Sequence, residues 1–391
     1  MAQTRGLSQD GPGRLRGDSA SGRWDGGRER ATGAGRPPAP LAQRFRSALS
    51  VRRLLWVSLV LIPVDLLAYT LGLRGVPLFV LSVVVLFPLA WLIGEATEQA
   101  GEYTGPAIAG LLNASFGNAP ELLIALFAVS HGLFDVVRGS LTGSVISNLL
   151  LVLGSALLIG GKGQIGRRTT YSALGLVAMA TVLFALPSIA RTRMSDTAAM
   201  YMVGVPVAVV LAAVYIVVTV RSVRREHREH RETGEPGDPD WSLPRSLVTL
   251  ALATLATAAV AELLIGSIQE FARAAGLSNM FVAAVIVAIA GNAAEHGGAV
   301  MIASRGGIRL ASEIALQSAS QVAVGLIPAV ALLSLAIQPF PLAFSAVEFF
   351  GLGIAVAVPA VLLARGRSAR WHGPVLLAAY AVSTGAFYVA T

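Results

Sequence analysis

The run Gly117-Asn118-Ala119-Pro120-Glu121 has a counterpart in Gly291-Asn292-Ala293-Ala294-Glu295, and each lies inside a long apolar stretch. A charge in such a stretch is expensive: an Asp, Lys or Arg at the centre of a membrane helix costs about 3 kcal/mol on insertion scales and more in simulations. A chain that bears this cost twice, once in each half, must give both carboxylates a polar interior. Glycine lowers helix stability and asparagine competes for backbone hydrogen bonds. Pro120 removes one donor and blocks a normal helical bond to residue 116. The expected result is a kinked or unwound segment that frees carbonyl oxygens, and such backbone survives at membrane depth only where it lines a polar cavity. Carbonyl and carboxylate oxygens together are the ligand set of a hard cation. The competing reading of a single run is a kinked helix whose Glu bonds a neighbour; two runs in matching settings favour a binding site.

The 391 residues are 54% hydrophobic and only 13% charged, against about 25% charged in soluble domains. This composition points to an all-α polytopic membrane protein. Cysteine is absent, which leaves no disulfide framework and no thiolate metal site. Residues 1–50 are rich in Gly, Arg, Pro and Ser and read as a disordered basic cytoplasmic tail. No apolar core follows a short basic start before residue 54, so the tail does not read as a signal peptide.

With about 20 apolar residues per span, eleven candidate spans fall near 54–71, 76–99, 106–130, 135–160, 171–190, 199–221, 246–271, 279–303, 309–336, 341–364 and 372–390. If the N-terminus is inside and the spans alternate, 25 of the 30 Lys and Arg lie in inside segments, among them Lys162, Arg167, Arg305 and Arg367. That asymmetry obeys the positive-inside rule and accounts for the net charge of +8 without a nucleic-acid partner. The expected setting is the cytoplasmic membrane of a bacterium, multi-pass, with the N-terminus inside. Residues 222–243 form a polar cytoplasmic linker. It holds His227 and His230, which are weak metal-ligand candidates. Residues 51–221 then comprise an extra helix and a first five-helix repeat, and 244–391 a second. Because five is odd, the repeats enter the membrane in opposite senses, the inverted arrangement of many secondary transporters.

A second polar span follows each run. Gly143-Ser144-Val145-Ile146-Ser147-Asn148 and Gln317-Ser318-Ala319-Ser320-Gln321 combine small hydroxyl residues with amides, suited to close helix packing and to oxygen ligation. Asn148 and Gln321 are the stronger ligand candidates; for the serines, packing and ligation weigh equally. Glu98 falls near the inner end of its span and Glu262 toward the outer end of its own, which suggests inner and outer approaches to the site. Glu95 reads as interfacial, and Glu313 and Glu348 receive no role. His296 adjoins Glu295 but faces another surface; it serves proton movement or packs as a neutral, hydrogen-bonded ring. His131 and His372 fall at span ends.

On these residues the chain resembles the calcium/cation–proton antiporter family of the cation/calcium exchanger superfamily, over about residues 54–390. GNAPE with GSVISNLLLVLG, and GNAAEH with the Ser-rich, Gln-containing span, are similar to that family's two signature repeats. The resemblance implies that Glu121 and Glu295 are the shared cation and proton sites, with Asn118, Asn292 and the carbonyls beside Gly117 and Gly291 completing the cavity. Ser147, Asn148, Gln321, Glu98, Glu262 and His296 would lie on the ion or proton pathway. Two departures stand out. Gln317 occupies a position where the family commonly has Gly. The linker holds four Arg against six acids over residues 224–240, which argues against a strongly acidic regulatory segment.

Two carboxylates facing one small cavity repel, and burial disfavours the doubly ionised state. An empty site of charge about −2 is costly to occlude; one divalent cation, or a proton on each acid, removes that cost. The penalty by itself couples cation and proton movement in opposite directions. Ca²⁺ suits such a flexible oxygen cavity better than Mg²⁺. It enters as a transported substrate, with no cofactor. Export of Na⁺ or K⁺ against protons is the near alternative. An intramembrane metal-dependent enzyme built from Glu121, Glu295, His131 and His296 lacks HExxH spacing, and a passive channel would move ions without proton coupling.

Overall fold

The computed structural model describes residues 53–233 and 240–390; the expected tail over 1–50 lies outside them. Val51–Thr391 form one compact unit. Among the described residues its regular secondary structure is helical, apart from one short antiparallel pair, β1 (Gly163–Gln164) with β2 (Arg367–Ser368). The helices in chain order are α1 (Arg53–Thr70), α2 (Gly75–Phe116), α3 (Ala119–Ser130), α4 (Phe134–Gly160), α5 (Arg167–Ala190) and α6 (from Asp196, helical to Thr233). The second half holds α7 (Leu243–Ala275), α8 (Asn279–Gly291), α9 (Ala293–Ser304), α10 (Ile308–Ser334), α11 (Ala346–Leu362) and α12 (His372–Ala390).

Among the described residues eight helices are long and apolar enough to cross a membrane, and nine if α8 and α9 count as one bent span. The expectation of eleven differs in two places. Spans near 76–99 and 106–130 were expected to be separate; instead α2 runs unbroken for 42 residues, to Phe116. Gly105-Pro106 lies within it, and a proline inside a helix bends it without always ending it. The chain leaves the helix only at Gly117-Asn118. The other place is α11, which at 17 residues is short for a span. The linker expected over 222–243 is in part a continuation of α6. The side chains of His227 and His230 lie outside the described residues.

Burial sorts the helices into layers. In the apolar windows of α4 and α10, 72% of residues are buried; in that of α1, only 6%. The polar spans α4 and α10 are therefore central, and α1 is peripheral. The exposed side chains of α1, such as Leu54, Val57, Leu67 and Leu71, match a lipid-facing surface. α1 is nonetheless anchored: Ser82 Oγ donates to the buried Asp65 carboxylate at 3.1 and 3.2 Å, and Trp56 meets Trp91 edge-on at 5.5 Å.

Basic loops gather at one end. β1 and β2 pair the loop after α4 with the loop after α11, and Ser368 Oγ donates to the Gly161 carbonyl at 2.9 Å. Ile308, at the start of α10, packs against Gly160 and Gly163. Lys162, Arg167, Arg305, Arg367 and Arg370 thus sit around one end. At the opposite end Arg138 donates to the Ala343 carbonyl, and Arg191 pairs with Asp196 at 3.0 Å.

The two halves keep one register through their central segments, a constant offset of 174 positions: 118 with 292, 121 with 295, 134 with 308 and 153 with 327. α3 and α9 are both 12 residues long. Gly132 and Gly306, in the turns that follow, both have positive φ, at 70° and 89°, a conformation that glycine adopts without steric cost. α4 and α10 each widen into a π-helical turn, Ser147–Val152 and Val322–Leu326, a distortion frequent at functional sites.

Candidate cation site

Both Gly-Asn runs break their helices in the same way. Asn118 has φ −107° and ψ 21°, Asn292 φ −91° and ψ 19°, the sparsely populated bridge region. Each Asn carbonyl already begins the next helix, accepting from Leu122 N and His296 N at 3.0 Å. The break is therefore narrower than an unwound segment: a single residue leaves the helical path. In the second half it turns the chain by 61°. Pro120 falls in the first turn of α3, where its missing N–H costs nothing. Glu121 and Glu295 occupy the first turns of α3 and α9, where the helix end carries partial positive charge.

The four amides tie the repeats together. Asn292 Nδ2 donates to Ser144 Oγ at 2.9 Å and to the Ala288 carbonyl at 2.8 Å. Asn148 Nδ2 lies 3.1 Å from Asn292 Oδ1 and 3.0 Å from Ser318 Oγ. Across the site Asn118 Nδ2 approaches Gln321 Oε1 at 3.5 Å. Each broken-helix asparagine thus faces an amide of the other repeat's polar span. Glu121 crosses too: a Cβ on Gly291 would stand 3.2 Å from Glu121 Cγ, so this glycine makes room for the opposite repeat's carboxylate. Glu121 lies within electrostatic range of Glu295.

Orphaned oxygens mark the centre. Both carboxylate oxygens of Glu121 and Oδ1 of Asn148 are buried with no hydrogen-bond partner among the described residues. Leaving such groups unpaired costs about 1–3 kcal/mol each, more if charged. The set is all oxygen, two of them anionic, and suits a hard cation. Glu121 is 5% exposed, whereas Glu295 is only partly buried. The two repeats therefore differ in access despite their shared register.

The remaining expected residues fall elsewhere. Ser147 is buried but bonds back to its own helix, at the Ser144 carbonyl. His296 is partly buried, with Nε2 unpartnered among the described residues. Gly117 caps α2. Glu98 is exposed on α2, toward the end where Gln99 Oε1 accepts from Trp241 N. Glu262 meets His131 Nε2 at 3.0 Å, at the far end of α3 from Glu121. The structure thus gathers Glu121, Glu295, Asn118, Asn292, Asn148 and Gln321, adds Ser144 and Ser318, and leaves Glu98 and Glu262 apart. The two serines were weighed evenly in the sequence; their matching positions in the 174-residue register are the signal that singles them out. Glu348 is buried, receives the Ser345 N–H and hydroxyl, and lies 3.9 Å from Arg138 Nε. Glu313 pairs with Arg309 at 3.1 Å. A cavity of about 670 Å³ opens at the Arg138 end, lined by Asp135, Arg191, Asp196, Gln269 and Asn279 among others, and contains none of the expected site residues.

A family model described as sodium/calcium exchanger protein matches residues 74–224 and 245–389. The chain is 33% identical over 338 residues to a protein named Ca(2+)/H(+) antiporter ChaA of Bacillus subtilis (strain 168), covering 84% of this chain and 96% of that one. It is 34% identical over 358 residues to a Ca(2+)/H(+) antiporter of Synechocystis sp., covering 85% and 96%. Among solved structures, native YfkE is similar, with a TM-score of 0.74 at 28% identity, covering 86% of this chain and 99% of that chain. The H+/Ca2+ exchanger CAX, at 15% identity and a TM-score of 0.64, shares the fold.

Proposed function

The chain belongs to the sodium/calcium exchanger protein family, and from that premise we propose that it exchanges Ca²⁺ for H⁺ by alternating access. The observation that carries the reading is the cluster of orphaned oxygens on Glu121 and Asn148, set beside Glu295 at the crossing of two inverted repeats. A Ca²⁺ ion entering there would replace its water with carboxylate and amide oxygens. Protons on Glu121 and Glu295 would neutralise the same site. Either load removes the charge that forbids occlusion, so loaded forms interconvert and the empty ionised form does not. That is a transporter's chemistry, with Ca²⁺ as cargo. The relatives' names favour Ca²⁺ over Na⁺ or K⁺.

Asn118, Asn292, Gln321, Ser144 and Ser318 hold the two breaks in register. Gly291 leaves room for the Glu121 side chain, and Gly117 lets α2 end against its own Asn113 carbonyl. Ser147 and His296 border the site, while Glu98 and Glu262 lie apart from it, exposed on α2 and paired with His131 respectively. The gathering of basic residues at one end supports, by the positive-inside rule, a cytoplasmic basic end with the N-terminus inside, and the bacterial relatives favour the cytoplasmic membrane of a bacterium. The partial exposure of Glu295, together with the exposure of Gln317 one turn from Gln321 on the side of Ile308, supports a form open toward the basic end.

The test is counter-transport in reconstituted vesicles with an acidic interior. Ca²⁺ should dissipate the pH gradient through the native chain, while Glu121→Gln and Glu295→Gln fall to the background of protein-free vesicles. Normal exchange by either Gln variant would overturn the site assignment. A response to Na⁺ or K⁺ alone would overturn the substrate.

A further inference from the structure

The 174-residue register pairs Gly139 and Gly143 on α4 with Glu313 and Gln317 on α10. The two glycines are what let α8 lie directly on α4. A Cβ at Gly139 would come within 2.6 Å of the Met280 carbonyl oxygen, and one at Gly143 within 2.7 Å of Ala284 Cα. Real Cβ atoms do not approach backbone that closely, so this contact closes only because both side chains are absent. The same register pairs residues 280–284 of α8 with residues 106–110 of α2. The mirror-image contact, 106–110 lying on α10, would therefore place a glutamate and a glutamine where the first repeat has glycines. Gln317 is exposed in this structure and Glu313 partly so. Gln317 lies one turn from Gln321, toward the basic end and on the same face, and Gln321 reaches Asn118 in the site. Gln317 thus stands on the path between the site and the basic end.

We propose that Gln317 is a steric prop on the basic-end gate. Its bulk raises the cost of seating residues 106–110 on α10, and so biases the protein toward the form open at that end. Closing the opposite gate meets no such obstacle, because its seat is glycine. In inverted-repeat transporters the two forms interconvert by rocking one bundle against the other. A side chain that hinders one closure and not the other shifts the population between them without touching the ion. The position sets which side the proton-loaded carrier faces, and through it the ion affinity sensed from each side. This inference rests on the alternating-access reading given above.

The test is amide hydrogen exchange by mass spectrometry on the full chain in lipid nanodiscs, without Ca²⁺ and at acidic pH so that protons load the site, comparing native protein, Gln317→Gly and Gln317→Leu. Removing the prop should slow exchange across residues 105–116 by about threefold and speed it across 279–291 by a similar factor, as one gate closes and the other opens. Gln317→Leu keeps the bulk and should exchange like the native chain. Opposed changes in the two segments cannot come from simple destabilisation, which speeds both. The proposal is overturned if Gln317→Gly leaves both segments unchanged or speeds both, or if Gln317→Leu behaves as Gln317→Gly does. Ca²⁺ transport is not the readout, so a failure here stands apart from a failure of the exchange reading.

Discussion

Asn292 is fully buried and engages both ends of its amide: two bonds given, to Ser144 and Ala288, and one received from Asn148. Replacing it with leucine would remove one hydrogen bond from the Ser144 hydroxyl and one from the Asn148 amide, leaving the first on the Ser140 carbonyl and the second on Ser318, and would put an apolar side chain among these polar groups. We expect a loss of about 2–3 kcal/mol, read as a lower melting temperature in detergent. Ser144→Ala removes one partner only and should cost about 1 kcal/mol. The order of the two is the informative result; an equal cost would mean that the amide network is not cooperative. Glu121 behaves differently. Its oxygens have no partner to lose among the described residues, so Glu121→Gln should leave the melting temperature unchanged or raised while abolishing exchange. A binding residue, unlike a structural one, shows that split between stability and activity.

At the scale of an element, the decisive contacts are between broken helices and polar spans. Gly143→Val would drive two methyl groups into the backbone at Ala284. Overpacking of this kind costs about 1–3 kcal/mol, and here the strain falls on one gate. We expect faster amide exchange across residues 279–291 with little change in α5, and a weaker transport rate. Uniform loosening would instead mean that the contact is ordinary core. The breaks themselves were legible in the sequence, because Gly-Asn before a carboxylate weakens a helix locally. Their extent was not. One residue leaves the helical path, since each Asn carbonyl is captured by the next helix, and that capture depends on where α3 and α9 start. Nor was the length of α2 legible: Gly105-Pro106 reads as a turn, yet the helix runs through it to Phe116.

For the molecule as a whole, the proposed exchange makes protons and Ca²⁺ compete for the same two carboxylates. At fixed Ca²⁺, acidifying the side from which Ca²⁺ loads should therefore weaken its apparent affinity, and a rise in pH should strengthen it. Initial rates over a range of pH and Ca²⁺ check this; an affinity independent of pH would show that the proton travels by another route. Deleting residues 1–50 should leave exchange unchanged, because the spans and both repeats lie beyond them; loss of transport in vesicles of matched protein content would contradict this.

What the sequence determined by itself was the class and symmetry of the protein. Apolar spans and the placement of Lys and Arg require a polytopic helical fold. A Gly-Asn-x-x-Glu run in each half requires one shared polar centre, since neither carboxylate can be left alone in lipid. These are local costs that any fold of this chain must meet, so they can be read from spacing and composition. The tertiary structure alone decided which amide faces which, that Gly291 yields its space to Glu121, that Ser144 and Ser318 join the network, and that Glu262 pairs with His131 instead of approaching the centre. It also decided that two matched carboxylates differ in exposure. Those outcomes depend on how α4 and α10 cross and on which broken helix is seated against its partner, and such contacts between distant segments leave no periodic trace in the chain.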